Sequence, residues 1–228
     1  MKATWLDYVL SGLAIYFILG VAIFGVVIFH PWSKSMFSDY HVLVDFFLAL
    51  LLYGLLSALF VRVLLLFRSI PRGTFDMESS VFTYWKLITI VYRLGESVLK
   101  PFTPVFLKPL VAKMFGARIG KDVALGGSID DPYAVSVGDG SVLGNASLVS
   151  GNYINNGFLI CGPVKIGKRV TVGANSVIFP DTEIGDGATL AGGSYVMPGT
   201  TIPAGENWRG NPARKWIQPA GARPHASE

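Results

Sequence analysis

The chain has 228 residues, of which 51% are hydrophobic and 15% charged, with 19 Lys/Arg against 15 Asp/Glu and a pI near 9.2. The charge is unevenly shared, +5 over residues 1–118, −3 over 119–205 and +2 over 206–228, which points to a basic, membrane-facing segment rather than a nucleic-acid surface. The single cysteine, Cys161, excludes an intrachain disulfide and any zinc-finger spacing.

Residues 8–29 carry no charged side chain and are almost wholly apolar. At about 1.5 Å per residue they span a hydrocarbon core of about 30 Å. A cleaved signal peptide fits less well, because the apolar run is too long and no small-x-small cleavage site follows. His30, Pro31 and Trp32 are expected to end this helix, with Trp32 at the interface. A second apolar run covers 46–61 and continues past Arg62 to Phe67. The two read as a transmembrane α-helical hairpin with a short polar loop at 31–40. That loop holds only Lys34, whereas Arg68, Arg72, Lys86, Arg93, Lys100, Lys108, Lys113 and Arg118 follow the second helix. The positive-inside rule then puts the N-terminus and everything after the hairpin in the cytoplasm, on a multi-pass inner-membrane protein.

Over 81–115 large apolar residues recur at helical spacing (Phe82, Trp85, Ile88, Ile90, Tyr92, Leu94) among Lys and Arg, and Pro101, Pro104 and Pro109 break the pattern. Two arrangements suit this: amphipathic helices on the inner membrane surface in contact with lipid, or a packed collar at the base of the next domain.

A ladder of nine aliphatics six apart follows: Ile154, Ile160, Ile166, Val172, Ile178, Ile184, Leu190, Val196, Ile202. A period of six suits neither a lone helix nor a lone strand; hexapeptide repeats build a parallel β-helix. Four positions after most aliphatics stands a small or β-branched residue: Val170, Ser176, Thr182, Ala188, Ser194, Thr200. Three hexads close one coil of eighteen residues, and stacked coils bury an aliphatic column. Upstream the ladder runs in a shifted phase, Ile119, Leu125, Val137, Leu143 and Val149, with Asp131 in a nominal inward slot. The step from Val149 to Ile154 is five, so a loop or bulge is expected at 150–156. The expected domains are therefore 1–72 (two transmembrane helices), 73–116 (collar), 117–205 (β-helix) and 206–228 (tail). Large flat β-helix faces favour a threefold homo-oligomer.

The hexads over 166–201, closed by Trp208-Arg209-Gly210-Asn211-Pro212-Ala213-Arg214, resemble the end of a hexapeptide-repeat acyltransferase. A more specific resemblance covers 85–214. Lys100-Pro101-Phe102-Thr103-Pro104, Phe115-Gly116-Ala117-Arg118-Ile119-Gly120, Asp131-Pro132-Tyr133 and Gly162-Pro163-Val164-Lys165-Ile166-Gly167 are similar to the membrane-bound C-terminal domain of poly-lysine-synthetase-like nonribosomal peptide synthetases. With no adenylation or carrier domain ahead of the first helix, the chain reads as a stand-alone relative or a single module. The resemblance implies a left-handed β-helix, a trimer, and acyl transfer from a thioester. Acyl-CoA would lie between subunits, with a histidine as general base.

This sequence departs from that pattern. Its histidines are His30, His41 and His225, none of them in the hexads. Gly151-Asn152 stands where the family often has Gly-His, and an asparagine amide takes no proton at neutral pH. The same lack argues against the His-ligated metal site of a carbonic anhydrase of this fold, and no metal is expected. The catalytic candidates are Asn152, Asp130 and Asp131, the last with an alternative reading as an Asp-Pro turn residue. Cys161 is a candidate nucleophile or else an inert core thiol. Tyr153 is a candidate for orienting substrate, and the polar cluster of Asn152, Asn155 and Asn156 reads equally as loop chemistry. Arg209, Arg214 and Lys215 are candidates for coenzyme A phosphates, against a solvated basic terminus. Gly192, beside Gly193, is a candidate for close approach of a pantetheine arm, or a tight corner. Two functions compete. One is a membrane-anchored acyltransferase using a CoA or carrier thioester on a membrane-associated acceptor. The other is a non-catalytic trimeric scaffold, bound to membrane lipids or to a larger membrane complex.

Overall fold

The computed structural model describes residues 4–217, which leaves His225 outside the described residues. The chain divides into two units. The first holds the residues up to Ala117 together with Asp131–Tyr133 and Ile154–Cys161, and the second holds Arg118–Asp130, Ala134–Tyr153 and the chain from Gly162 on.

The first unit is built on α1 (Trp5–Phe37) and α2 (His41–Phe67), joined by a 3-10 turn at Ser38–Tyr40. Thr4 and Asp7 form a reciprocal capping box at the start of α1. The helical stretch Trp5–Phe67 is long and apolar enough to cross a membrane, with a mean hydropathy of 2.7 in its most apolar window. It doubles back at Ser38, where φ is 48°, so that Phe17 meets Phe60 and Gly25 faces Leu52. Small residues let the helices approach: Ser11, Ala14 and Ala22 on α1, Gly54, Ser57 and Ala58 on α2.

The structure corrects the expected stop at Pro31, because α1 runs through it for six more residues. Asp45 of α2 accepts from Ser33 Oγ at 2.6 Å and lies 2.7 Å from His30 Nδ1, while Ser33 Oγ also lies 3.0 Å from the His30 carbonyl. This cross-helix polar cluster holds the turns that proline would otherwise loosen.

α3 (Ser80–Leu99) starts at the N-cap Ser79 and buries Phe82, Trp85, Ile88, Val91, Tyr92, Gly95 and Leu99. It runs antiparallel along α2: Tyr84 donates to the Leu64 carbonyl at 2.6 Å, Gly95 sits against Ser57, and Leu99 against Gly54. Its apolar face is therefore spent on the hairpin. That is the packed-collar arrangement, and Ile90 and Leu94 on its other side are exposed. After two 3-10 turns, α4 (Lys108–Met114) is tied back by Arg62, which donates to the Lys113 and Met114 carbonyls. A three-stranded sheet has the order Gly73–Asp76, Phe158–Cys161, Asn152–Asn155, of which the first two strands and the end of the third, from Ile154, fall in this unit.

The second unit is a parallel β-helix of three sheets. Each side stacks one aliphatic column. Ile119, Val137, Ile166, Ile184 and Ile202 form the first. Leu125, Leu143, Val172 and Leu190 form the second, and Ile129, Val149, Ile178 and Val196 the third. All are buried, as are the small partners Val170, Ser176, Thr182, Ala188 and Ser194.

Two rungs differ from the sequence reading. Ile154 and Ile160 are not part of the β-helix. They lie in the hairpin Asn152–Asn155/Phe158–Cys161, and Ile154 is 40% exposed. Val149 pairs with Ile178, 29 positions on, where Ile178 and Val196 are 18 apart, so eleven residues are inserted in one coil. In the first coil the inward slot assigned to Asp131 belongs to Ile129. A carboxylate in an aliphatic stack carries a large desolvation cost. The chain places Ile129 there and turns at Asp131, where φ is 53°, a conformation that aspartate tolerates better than most residues.

Candidate functional site

The inserted hairpin leaves the β-helix between Gly151 and Gly162, whose backbones meet: the Gly162 N–H donates to the Gly151 carbonyl at 3.0 Å. Gly151 N–H in turn donates to the Asp130 carbonyl at 3.2 Å. Asp130 and Ser150 are paired across the parallel ladder. Ser150 is buried; its hydroxyl donates to the Asn152 carbonyl at 2.9 Å and accepts from the Asn152 N–H at 3.3 Å. The structure thus gathers two of the three catalytic candidates, Asp130 and Asn152, around Ser150. Beside them the Tyr153 ring packs edge-on against Phe179, centroids 4.8 Å apart.

Asp181 was not singled out by sequence, yet a Cβ on Gly162 would lie 2.2 Å from its Oδ1, so its carboxylate lies on the neck of the hairpin. Stacking in eighteens across the insertion finds it, since Val164 pairs with Thr182.

Asp131 has a different setting. It is 3% exposed and belongs to the helical unit. Its Oδ1 accepts from the Trp85 indole N–H at 3.1 Å and from the Tyr133 hydroxyl at 3.0 Å. Burial, with the Asp131 carboxylate alongside, pushes the Tyr133 phenol well above its ordinary range. The phenol stays neutral and donates. These surroundings match the turn-residue reading of Asp131. Cys161 is likewise a core residue, packed with Phe82, Trp85 and Leu159. Asn155 and Asn156 lie at the hairpin tip, with Asn156 at φ 46° and Gly157 at φ 83°.

At the other end of the β-helix, strands Asn207–Arg209 and Arg214–Lys215 pair antiparallel, with Arg209 opposite Arg214 and Trp208 opposite Lys215. Directly opposed residues share a face, so two guanidinium groups are presented together. Arg209 also lies 4.7 Å over the Trp216 ring. Lys215 is placed differently from the grouping expected of it. Its ammonium meets Glu206 Oε1 at 2.5 Å, while Glu206 Oε2 accepts from the Trp208 indole at 2.9 Å. Gly192 packs its backbone beneath Gly173, where a Cβ would lie 2.3 Å from Gly192 N. Gly173 is thus the position with no room for a side chain, and Gly192 itself is exposed.

The hydrogen bonds from Lys215 and Trp208 lower the Glu206 pKa below its ordinary value. A depressed folded pKa contributes stability above the unfolded value of about 4.3 and loses it as pH falls through the folded one. The ¹⁵N-indole resonance of Trp208 is therefore expected to hold constant from neutral pH to about pH 4.3 and to shift below it. Glu206→Gln should remove that shift; an unchanged titration in the variant would assign it to another group.

The pattern for the hexapeptide repeat of succinyl-transferase matches residues 163–198, within the stacked coils. The coils over 163–198 are thus hexapeptide repeats of that family's pattern. The chain is 32% identical over 195 residues, 80% of its length, to the delta-poly-L-ornithine synthetase of Acinetobacter baumannii. It spans only 14% of that relative. Among solved structures, a hexapeptide-repeat acetyltransferase of Vibrio cholerae aligns over 45% of this chain and 62% of its own at 23% identity and a TM-score of 0.41. A galactoside acetyltransferase in complex with coenzyme A aligns over 72% and 82% at 19% identity and a TM-score of 0.42.

Proposed function

We propose that this hexapeptide-repeat protein is a membrane-anchored acyltransferase, moving an acyl group from a CoA or carrier thioester to a membrane-associated acceptor. The observation that carries the reading is the Arg209–Arg214 pair. Like charges directly opposed on a strand pair are unfavourable, and a bound phosphate group would reverse that sign. The α1–α2 hairpin is the anchor. Its basic flank favours a cytoplasmic β-helix and N-terminus, and the flat faces of a left-handed β-helix favour a threefold homo-oligomer. Gly192 leaves room for a pantetheine arm. The name of the relative, a poly-L-ornithine synthetase, points to an amine as the acceptor.

In the transfer the acceptor nitrogen bonds to the acyl carbon, the C–S bond breaks, and the sulfur leaves as a thiol with the proton that the acceptor nitrogen gave up, relayed by a base. Asp130 is assigned that role and Asn152 the positioning of the acceptor, because no imidazole stands in the hexads. The same lack of histidine favours the scaffold reading, in which the β-helix only clusters three hairpins or docks on a larger membrane complex.

Acetyl-CoA and longer acyl-CoAs, added to the detergent-purified chain, are expected to raise its thermal stability. Arg209→Ala and Arg214→Ala should each weaken that binding about tenfold or more, the worth of a charge-assisted hydrogen bond. Asp130→Asn should abolish turnover and leave binding intact. No stabilisation by any acyl-CoA would leave the scaffold.

A further inference from the structure

A cavity of about 500 Å³ opens between α1 and α3, lined by Asp7, Gly12, Ile15, Lys86, Thr89 and Ile90 among others. Its floor is the buried ion pair of Asp7 with Lys86. Asp7 is 7% exposed. Its Oδ2 accepts from Lys86 Nζ and from the Thr4 N–H, whereas its Oδ1 and the Thr89 Oγ1, both buried, have no hydrogen-bond partner. Lys86 lies 4.5 Å over the Phe82 ring. Buried oxygens without partners are unfavourable unless a hydrogen-bonding group reaches them. The walls below them are apolar, Ile15 from α1 and Ile90 from α3. Arg68, at the end of α2, stacks 5.3 Å over Tyr84 of α3; a basic residue with an aromatic at a helix end is the composition of a membrane interface.

We infer that this groove binds one phospholipid with a primary-amine head. The ammonium donates to Asp7 Oδ1 and Thr89 Oγ1, the phosphate lies toward Lys86, and one chain runs along Gly12, Ile15 and Ile90. The charge pattern selects this head. A neutral pair of one carboxylate and one ammonium complements a zwitterion, and Asp7 Oδ1, an acceptor without a partner, calls for a hydrogen-bond donor, which a trimethylated head lacks. The size suits the role, since ligand cavities run to about 300–1,000 Å³. This site is independent of the acyl-transfer reading, and neither needs the other.

The test is native mass spectrometry of the full chain, purified in non-ionic detergent and offered phosphatidylethanolamine or phosphatidylcholine with identical chains. Phosphatidylethanolamine is expected to be retained about five- to tenfold better, the difference one hydrogen bond makes. Gly12 lines the groove and a Cβ there meets nothing within 4 Å, so Gly12→Phe, which puts a ring into that space, should abolish the binding. Thr89→Val, which keeps the ion pair, should reduce the preference for the amine head. Equal retention of the two lipids by the wild type, or undiminished binding in Gly12→Phe, would overturn the assignment.

Discussion

Ile178→Ala is expected to destabilise the β-helix by about 2–5 kcal/mol, and Ile154→Ala to change it by no more than about 0.5 kcal/mol. The two isoleucines occupy equivalent places in the hexad spacing, four steps apart. Their surroundings differ. Ile178 is fully buried between Val149 and Val196 in one aliphatic column. Removing three carbons leaves a cavity that the stacked backbones cannot close, because each coil is hydrogen-bonded above and below. Ile154 lies in the inserted hairpin with 40% of its surface exposed, where truncation leaves little void. Denaturant titration in detergent, followed by the β-sheet circular dichroism signal, gives both values. A loss at Ile154 as large as at Ile178 would make it a true rung and contradict the register.

That contrast shows how much of the fold was legible. From Ile166 to Leu190 each aliphatic and its small partner four positions later go inward as the spacing requires, because a narrow interior leaves no other way to bury both, whereas Thr200, after Val196, is half-buried and its hydroxyl donates to the Met197 carbonyl at 2.7 Å. Ile154 and Ile160 joined the ladder for a different reason. Six is a multiple of the strand period of about two, so strand alternation can stay in phase with a hexad. The eleven inserted residues shift the phase by one hexad and five, which is the five-residue step after Val149. The signal for the hairpin was Asn156-Gly157, the dipeptide most favoured at a two-residue turn between strands. Other features were beyond sequence because their causes lie far apart in the chain. Helix α1 survives Pro31 through Asp45, and the buried face of α3 goes to α2. At the site, Asp130 and Asn152 lie close along the ladder and could be found by spacing. Asp181 needed the length of the insertion to be known.

Asp131 carries the second large expectation. Asp131→Ala should destabilise the protein by about 2–4 kcal/mol, because it strips the acceptor from two buried donors, the Trp85 indole and the Tyr133 hydroxyl, each costing about 1–3 kcal/mol when unsatisfied. Alanine also tolerates the φ of 53° at this position poorly. Asp131→Asn separates charge from hydrogen bonding. Its amide oxygen can accept from both donors, and asparagine is at home in the left-handed region, so most of the stability should remain. If Asp131 is an acceptor that fixes the turn against α3, Asp131→Asn should retain acyl transfer within a fewfold per folded molecule, while Asp130→Asn loses it. Thermal melts of both variants, paired with turnover of the same preparations, read this out. A hundredfold loss of turnover in Asp131→Asn at unchanged stability would return Asp131 to the chemistry. The neighbouring carboxylates thus divide by partner rather than by position: Asp131 is engaged by α3, and Asp130 lies on the ladder beside Ser150, where the hairpin leaves the coil.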